Sequence, residues 1–236
     1  MHITWERLGR CFECGITSAL SGTRVARPNA ESRLETCFGL YFGRHAVLDA
    51  CVKQRVDFNA PCPGPSPDPE HPLRPLDIAI LTRDAHAVRL LLENGADVKR
   101  VDRPVHRLVH RCFNAANTGV CREIAALLVQ HGANLEELGP SKGWRETPLI
   151  MAWHMNRPFG QALLELGANI NGSDNQGCTL LDLAYDRKDA MQIALLEGRG
   201  AKRGRMCTTN RAVKRAKDWS SGLGYLLCVF VPCNTH

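Results

Sequence analysis

Four similar stretches decide the fold of this chain. They read LLLENGADV at residues 90–98, LLVQHGANL at 127–135, LLELGANIN at 163–171 and LLEGRGAKR at 195–203. Each stretch runs from leucines through Gly-Ala to a polar residue. A phrase that returns at this period predicts stacked repeats, because one repeat alone cannot bury both of its apolar faces. Such stacks usually hold partners on an elongated surface and rarely perform chemistry.

A second recurring stretch precedes three of these four. It reads RPLDIAI at 74–80, TPLIMAW at 147–153 and TLLDLAY at 179–185. Proline suits the first turn of a helix, where its missing N–H costs nothing. The glycine of each Gly-Ala is expected to end a second helix in the left-handed conformation, which a residue without a Cβ adopts freely.

The spacing between the two halves sets the register. Arg74 and Thr179 each stand 21 residues before the repeat glycine, and Thr147 stands 20 before it. In the second unit, Arg107 is 25 residues from Gly132. This longer spacing predicts about four extra residues in the second unit, within 114–119. It places His110 three residues after the helix start.

Each unit resembles the ankyrin repeat, which opens with Thr-Pro-Leu-His-x-Ala and continues with a second helix, Gly-Ala and a hairpin. The resemblance covers about residues 72–203 and implies an all-α solenoid of stacked helix-turn-helix units with hairpin fingers. A fifth, degenerate unit is expected before these four, over 34–59, with Arg55 in place of glycine, followed by a proline-rich finger over 60–72. Residues 1–33 are expected to form a poorly ordered segment, and 204–236 a basic tail.

The resemblance also implies a polar residue near the start of each first helix. His110 would stand at the position of the family's histidine, with Asp77, Ile150 and Asp182 in the other units. Aspartate can replace histidine there, because it accepts hydrogen bonds from free N–H groups at the positive end of the helix.

Composition favours a soluble intracellular protein, in the cytoplasm, the nucleus or both. Among the 236 residues there is no signal-peptide pattern, and no apolar run long enough to span a bilayer. Eleven cysteines at irregular spacing argue against a secreted disulfide scaffold. Cys112, Cys121 and Cys178 are expected to be buried thiols. Cys11 and Cys14 form a CxxC that is either a metal or redox motif or a chance pair.

Positive charge is concentrated at the end of the chain. Residues 199–236 hold eight Lys/Arg and one Asp/Glu. Two basic clusters there resemble a bipartite nuclear-import signal, which would bind a nuclear import receptor. They consist of Lys202, Arg203, Lys214, Arg215 and Lys217. The alternative is a solvated basic cap with unspecific affinity for phosphate or RNA.

No catalytic, cofactor-binding or metal-binding constellation is found in the sequence, so the chain is expected to be a non-enzymatic scaffold or adaptor. It would bind a protein partner, without a cofactor and as a monomer. Two alternatives remain open. The repeats could recruit for an enzyme or a ubiquitin-ligase-type complex, or the basic tail could associate with nucleic acid.

The resemblance to ankyrin repeats implies a concave binding face made of the finger tips and the exposed ends of the first helices. The residues expected to bind there are Arg103, Lys142, Trp144, Arg145, Trp153, His154 and Arg187. Tryptophan and arginine dominate interface energetics, so the two tryptophans are the leading candidates. In the alternative reading Trp144 packs against its own finger, and Trp153 fills a core gap where the repeat normally has alanine.

Overall fold

The computed structural model describes residues 31–62, 72–112, 115–139 and 145–204. Within these ranges the chain forms ten α-helices and two short 3₁₀ turns, and its extended pairing is a single antiparallel bridge between Ser173 and Thr179. The helices are α1 (Glu31–Tyr41), α2 (His45–Lys53), α3 (Pro75–Thr82), α4 (Ala85–Glu93), α5 (Pro104–Arg111), α6 (Thr118–Gln130), α7 (Pro148–Met155), α8 (Arg157–Glu165), α9 (Leu180–Asp186) and α10 (Ala190–Gly198).

The helices form five antiparallel pairs, which confirms the all-α repeat architecture. We call the odd-numbered helices first helices and the even-numbered ones second helices. First helices pack on first helices from α1 through α7, and α4, α6 and α8 pack on one another in the same way. One cluster of buried apolar residues runs through all five pairs, from Cys37 to Leu196. The repeats therefore share one continuous core, as the sequence pattern predicted.

Local chemistry explains where the helices begin and end. Prolines occupy the first turn of α3, α5 and α7, and the Thr147 hydroxyl accepts a hydrogen bond from the Ile150 N–H. The glycines after the second helices adopt positive φ, between 80° and 98°, as expected. They are Gly95, Gly132, Gly167 and Gly200. In the first pair Arg55 takes the same conformation at φ 55°, despite its Cβ.

The second unit begins four residues earlier than the spacing predicted. Helix α5 starts at Pro104 with Arg103 as its N-cap, whereas the sequence placed Arg107 at the cap. The prediction was wrong because the preceding finger is short. Arg103 stands eight positions after Gly95, where the predicted register placed the N-cap twelve positions after it.

The shifted register changes which histidine lies in the repeat position. His106, not His110, is the third residue of α5. The extra length of the unit lies beyond this helix, in the connection 112–117 and in α6, which has 13 residues where the other second helices have nine. The predicted insertion within 114–119 therefore falls in the right region, and the expansion is larger than predicted.

The prediction of free thiols in the repeats was wrong. Cys112 and Cys121 form a disulfide, with their Cα atoms 6.3 Å apart, and Cys178 is also disulfide-bonded. A further disulfide joins Cys37 of α1 to Cys62. Sequence spacing did not reveal these pairs, because the turns of the stack bring the cysteines together. The CxxC at 11–14 lies outside the described residues.

The longest helix of the described residues has 13 residues, and no helix there could span a bilayer.

Candidate functional site

The first four fingers start with the same local turn. Two residues after the repeat glycine, an Asp or Asn side chain accepts a hydrogen bond from the backbone N–H two residues further on, which forms an Asx turn. The N···O distances lie between 2.8 and 2.9 Å. The four pairs are Asp57 with Asn59, Asp97 with Lys99, Asn134 with Glu136, and Asn169 with Asn171. The degenerate first pair thus has the same finger base as the others.

In three of these turns, the residue that donates the N–H also has a side-chain oxygen that accepts a hydrogen bond from the backbone of the next repeat. Asn59 Oδ1 accepts from the Asp97 N–H at 2.8 Å, Glu136 Oε1 from the Asn169 N–H at 2.8 Å, and Asn171 Oδ1 from the Lys202 N–H at 2.7 Å. These bonds form a ladder that fixes the spacing of the fingers. Lys99 is the exception, because an ammonium group has no acceptor.

A second set of contacts between repeats starts at the third residue of the first helices. Asp77 accepts from the Arg74 N–H at 2.8 Å and lies 3.3 Å from Nε of Arg107, which belongs to the next repeat. Asp182 accepts from the Thr179 N–H at 3.0 Å. In both units the carboxylate closes its own helix start, as the sequence predicted for an aspartate at this position.

The two carboxylates have opposite pKa shifts. Burial raises the pKa of Asp77, although the Arg107 guanidinium opposes the shift. Burial also disfavours the charged form of Asp182. There the N–H groups of Thr179 and Gly204, together with Arg203, bring the pKa below its usual range. The difference follows from the additional donors around Asp182.

His106 makes the corresponding contact in the second unit. Its Nε2 lies 2.8 Å from the Glu146 carbonyl oxygen, which can only accept, so Nε2 carries the proton. The other ring nitrogen, Nδ1, is buried and has no hydrogen-bond partner among the described residues. Burial lowers the pKa of His106 to about 4. His106 is therefore a neutral structural histidine that holds the base of the long finger.

The exposed ends of the first helices bring together part of the predicted binding face. Arg187 and His154 lie in neighbouring repeats, with a guanidinium nitrogen 2.5 Å from the imidazole Nδ1. Arg111 donates from Nε to the Leu81 carbonyl of the preceding repeat at 2.8 Å. Arg83 lies at the end of α3 with φ 60°. These contacts align basic groups along the stack.

Charge is arranged differently on the second helices. There, arginines pair with carboxylates of adjacent repeats, at 2.8 Å for Arg89 and Glu123 and at 2.6 Å for Arg122 and Glu165. By contrast, Arg83, Arg187 and Lys188 have no carboxylate within ion-pairing distance in the described part of the chain. Arg83, Arg187 and Lys188 therefore leave positive charge at the first-helix ends, whereas Arg89 and Arg122 on the second helices are paired.

Comparison with known proteins supports one family. A segment of 106 residues is 36% identical to the ankyrin repeat protein nuc-2 of Neurospora crassa. Together with the stacked helix pairs, this similarity shows that the described residues fold as an ankyrin-repeat solenoid. No protein-family model matches the chain. The similar segment covers 43% of this chain and 9% of nuc-2, so the chain spans less than a tenth of the length of this curated relative.

Within the ankyrin stack, Trp153 does not belong to the binding face. It is 3% exposed and donates from Nε1 to Gln192 Oε1 at 2.8 Å, which joins α7 to α10 of the next repeat. Gly160 leaves room for the ring, since a Cβ there would lie 2.9 Å from Trp153 Cε3. The alternative reading of Trp153 as a core residue is the one that the structure supports.

The remaining predicted residues fall into two groups. Arg103 is half-buried and pairs with Asp102 at 2.7 Å. Arg145 donates its backbone N–H to Asn175 Oδ1 in the neighbouring finger, and its carbonyl accepts from the Asn175 N–H. Lys142 and Trp144 lie outside the described residues. Their part in binding stays a prediction.

The first basic cluster of the predicted import signal lies in the last finger of the ankyrin stack. The Lys202 carbonyl accepts from the Thr179 hydroxyl at 2.8 Å, and Arg203 Nε lies 3.1 Å from Asp182 Oδ1. The second cluster is outside the described residues, at Lys214, Arg215 and Lys217. The import signal stays a prediction, and the structure adds that its first half is bonded to the last repeat.

Proposed function

We propose that this chain is a non-enzymatic module that binds an acidic segment of a partner protein along the fingers and the first-helix ends. The observation that supports this most is the row of arginines at the first-helix ends, where the half-buried Arg83 and the exposed Arg187 have no carboxylate partner in the described ranges. Arginine suits this role, because its planar guanidinium binds carboxylates in a fixed geometry.

Two carboxylates beside the row, Asp84 and Asp189, are already engaged with other groups. Asp84 caps α4 by accepting from the Ala87 N–H at 3.0 Å and lies 2.7 Å from His45. Asp189 caps α10 by accepting from the Gln192 N–H at 3.1 Å and pairs with Arg157 at 3.2 Å. An incoming carboxylate would therefore find guanidinium groups that the stack itself does not neutralise.

A charge-reversal experiment tests the proposal. The variant Arg83→Glu with Arg187→Glu changes two sites of the row, and Lys53→Glu with Arg199→Glu makes the same charge change at exposed positions away from it. Proteins captured from a lysate by the intact chain are identified by mass spectrometry. We expect partners to be lost with the first variant only, and the lost proteins to share acidic segments.

Two further measurements separate the alternatives. Identical capture by both variants would remove the first-helix row from the binding site. Capture that disappears after nuclease treatment would instead indicate nucleic acid bound by the basic tail. Synthetic acidic peptides of captured proteins should then bind the intact chain directly, with an affinity that falls as salt rises.

A further inference from the structure

One side of the last second helix is apolar and exposed. Met191 is 84% exposed and Leu195 37%, and Ala194 and Gly198 are exposed beside them. The four residues follow one another at i, i+3, i+4 and i+7, so they share one face of α10. We call them the α10 stripe.

The matched positions of an earlier repeat are more polar. Aligned on the repeat glycines, the corresponding residues of α4 are His86, Arg89, Leu90 and Glu93. Arg89 forms an ion pair with Glu123 of the next repeat at 2.8 Å. The last described repeat has lost this charge. A terminal repeat usually needs a polar outer face to stay soluble, so the α10 stripe has the character of a covered surface.

We infer that residues 223–232 of the same chain cover the α10 stripe. This segment reads LGYLLCVFVP and contains no charged residue. The described chain stops at Gly204, and the 18 residues from 205 to 222 separate it from the segment. A linker of that length reaches up to about 60 Å when extended, whereas a helix of nine residues is about 14 Å long.

The anchoring of Gly204 favours this occupant over a second copy of the chain. Its N–H is held by Asp182 Oδ2 at 2.7 Å, so the linker leaves from the start of α9, in the same repeat as the stripe. A tethered segment is present at an effective concentration in the millimolar range. At ordinary protein concentrations this exceeds the concentration of any other molecule of the chain.

Hydrogen exchange of the full-length protein tests the inference. We expect the amides of 223–232 to exchange at least about tenfold more slowly than an unstructured peptide of the same sequence. The variant Met191→Glu with Leu195→Glu should restore fast exchange. The matched control, Phe42→Glu with Val120→Glu, changes two exposed apolar residues outside the stripe and should leave the protection unchanged.

A reciprocal variant covers the case in which the stripe variant unfolds its repeat. Leu226→Glu with Phe230→Glu alters only the segment. Uncovering the stripe should then raise several-fold the rate at which peroxide oxidises Met191 to its sulfoxide. Fast exchange of 223–232 in the unaltered protein, or Met191 oxidation unaffected by the segment variant, would overturn the inference. Protection that grows with protein concentration would assign the stripe to a second copy instead, and would equally overturn it.

Discussion

Arg203 contacts Asp182 and Tyr185 and so joins the end of the described chain to α9. Its Nε is 3.1 Å from Asp182 Oδ1, and its guanidinium carbon is 4.8 Å from the centre of the Tyr185 ring. Gly204 adds its N–H to Asp182 Oδ2 at 2.7 Å. In the first full repeat, Asp77 has a guanidinium neighbour but no such added N–H donor, and its pKa shifts the opposite way. The contacts of Arg203 and Gly204 with Asp182 thus stabilise its ionised carboxylate.

Replacing Gly204 by alanine should break its hydrogen bond to Asp182. A Cβ at Gly204 would lie 1.9 Å from the Gly177 carbonyl oxygen, so the backbone must move away. We expect a loss of about 1–3 kcal/mol in the free energy of unfolding, measured by urea denaturation. Gly198→Ala is the control, because no atom lies within 4 Å of its Cβ position. That substitution should stabilise the helix end, and equal effects of the two would contradict the close approach.

His106 should make the protein less stable in mild acid. Its pKa of about 4 lies below the unfolded value of 6.5, so the unfolded chain binds the proton first. The free energy of unfolding should therefore fall as the pH drops from 6.5 to 4, by about 3 kcal/mol from this group, and level off below that. His106→Gln keeps a donor to Glu146 and does not titrate. The free energy of unfolding of both proteins is measured by denaturation from pH 8 to pH 4, and the difference between them should change between pH 6.5 and pH 4. Parallel profiles would contradict the contribution of His106.

Lys99 should be replaceable with a gain in stability. It stands where Asn59, Glu136 and Asn171 accept an N–H from the next repeat. Lys99→Asn supplies the missing acceptor, and we expect a gain of about 0.5–1 kcal/mol in thermal or chemical denaturation. Lys99→Met removes the charge without an acceptor and should give less. If the methionine variant gains as much as the asparagine one, the ladder is not the cause.

The disulfide between Cys112 and Cys121 should be detectable and stabilising. Alkylation in denaturant without reductant should leave both cysteines unmodified in peptide mass spectra. Replacing both by alanine should lower the free energy of unfolding by about 2 kcal/mol, because the cross-link restricts the unfolded chain. Cys51 is a buried thiol that takes part in no disulfide, so Cys51→Ala measures the cost of losing a packed sulfur without losing a cross-link. Alkylated Cys112 and Cys121 in the unreduced protein would contradict the bond.

Trp153 should contribute through its ring nitrogen as well as its size. Trp153→Phe removes the donor to Gln192 and leaves space beside Gly160. We expect a loss of about 1–3 kcal/mol, measured by thermal denaturation, without loss of partners in the capture experiment. Partner loss with an unchanged melting temperature would return Trp153 to the binding face.

The sequence predicted best where one repeat determines its own structure. Pro75, Pro148 and the four repeat glycines marked helix boundaries correctly, because first-turn prolines and left-handed glycines act within a few residues. It failed where two signals competed. Pro104-Val105-His106 matches the family's opening better than the stretch at Arg107, whereas equal finger spacing favours Arg107. The short finger after Gly95 shows that spacing between repeats varies more than the helix start does.

By itself, the sequence determined the repeat architecture and the residues that start and end the helices, since these depend on neighbours along the chain. The tertiary structure decided what each polar residue does across repeats. It made Trp153 and His106 interior contacts, paired Cys112 with Cys121 and attached Arg203 to Asp182. These partners lie between 9 and 40 residues apart in sequence, and only the stacking of rigid helix pairs brings them within bonding distance.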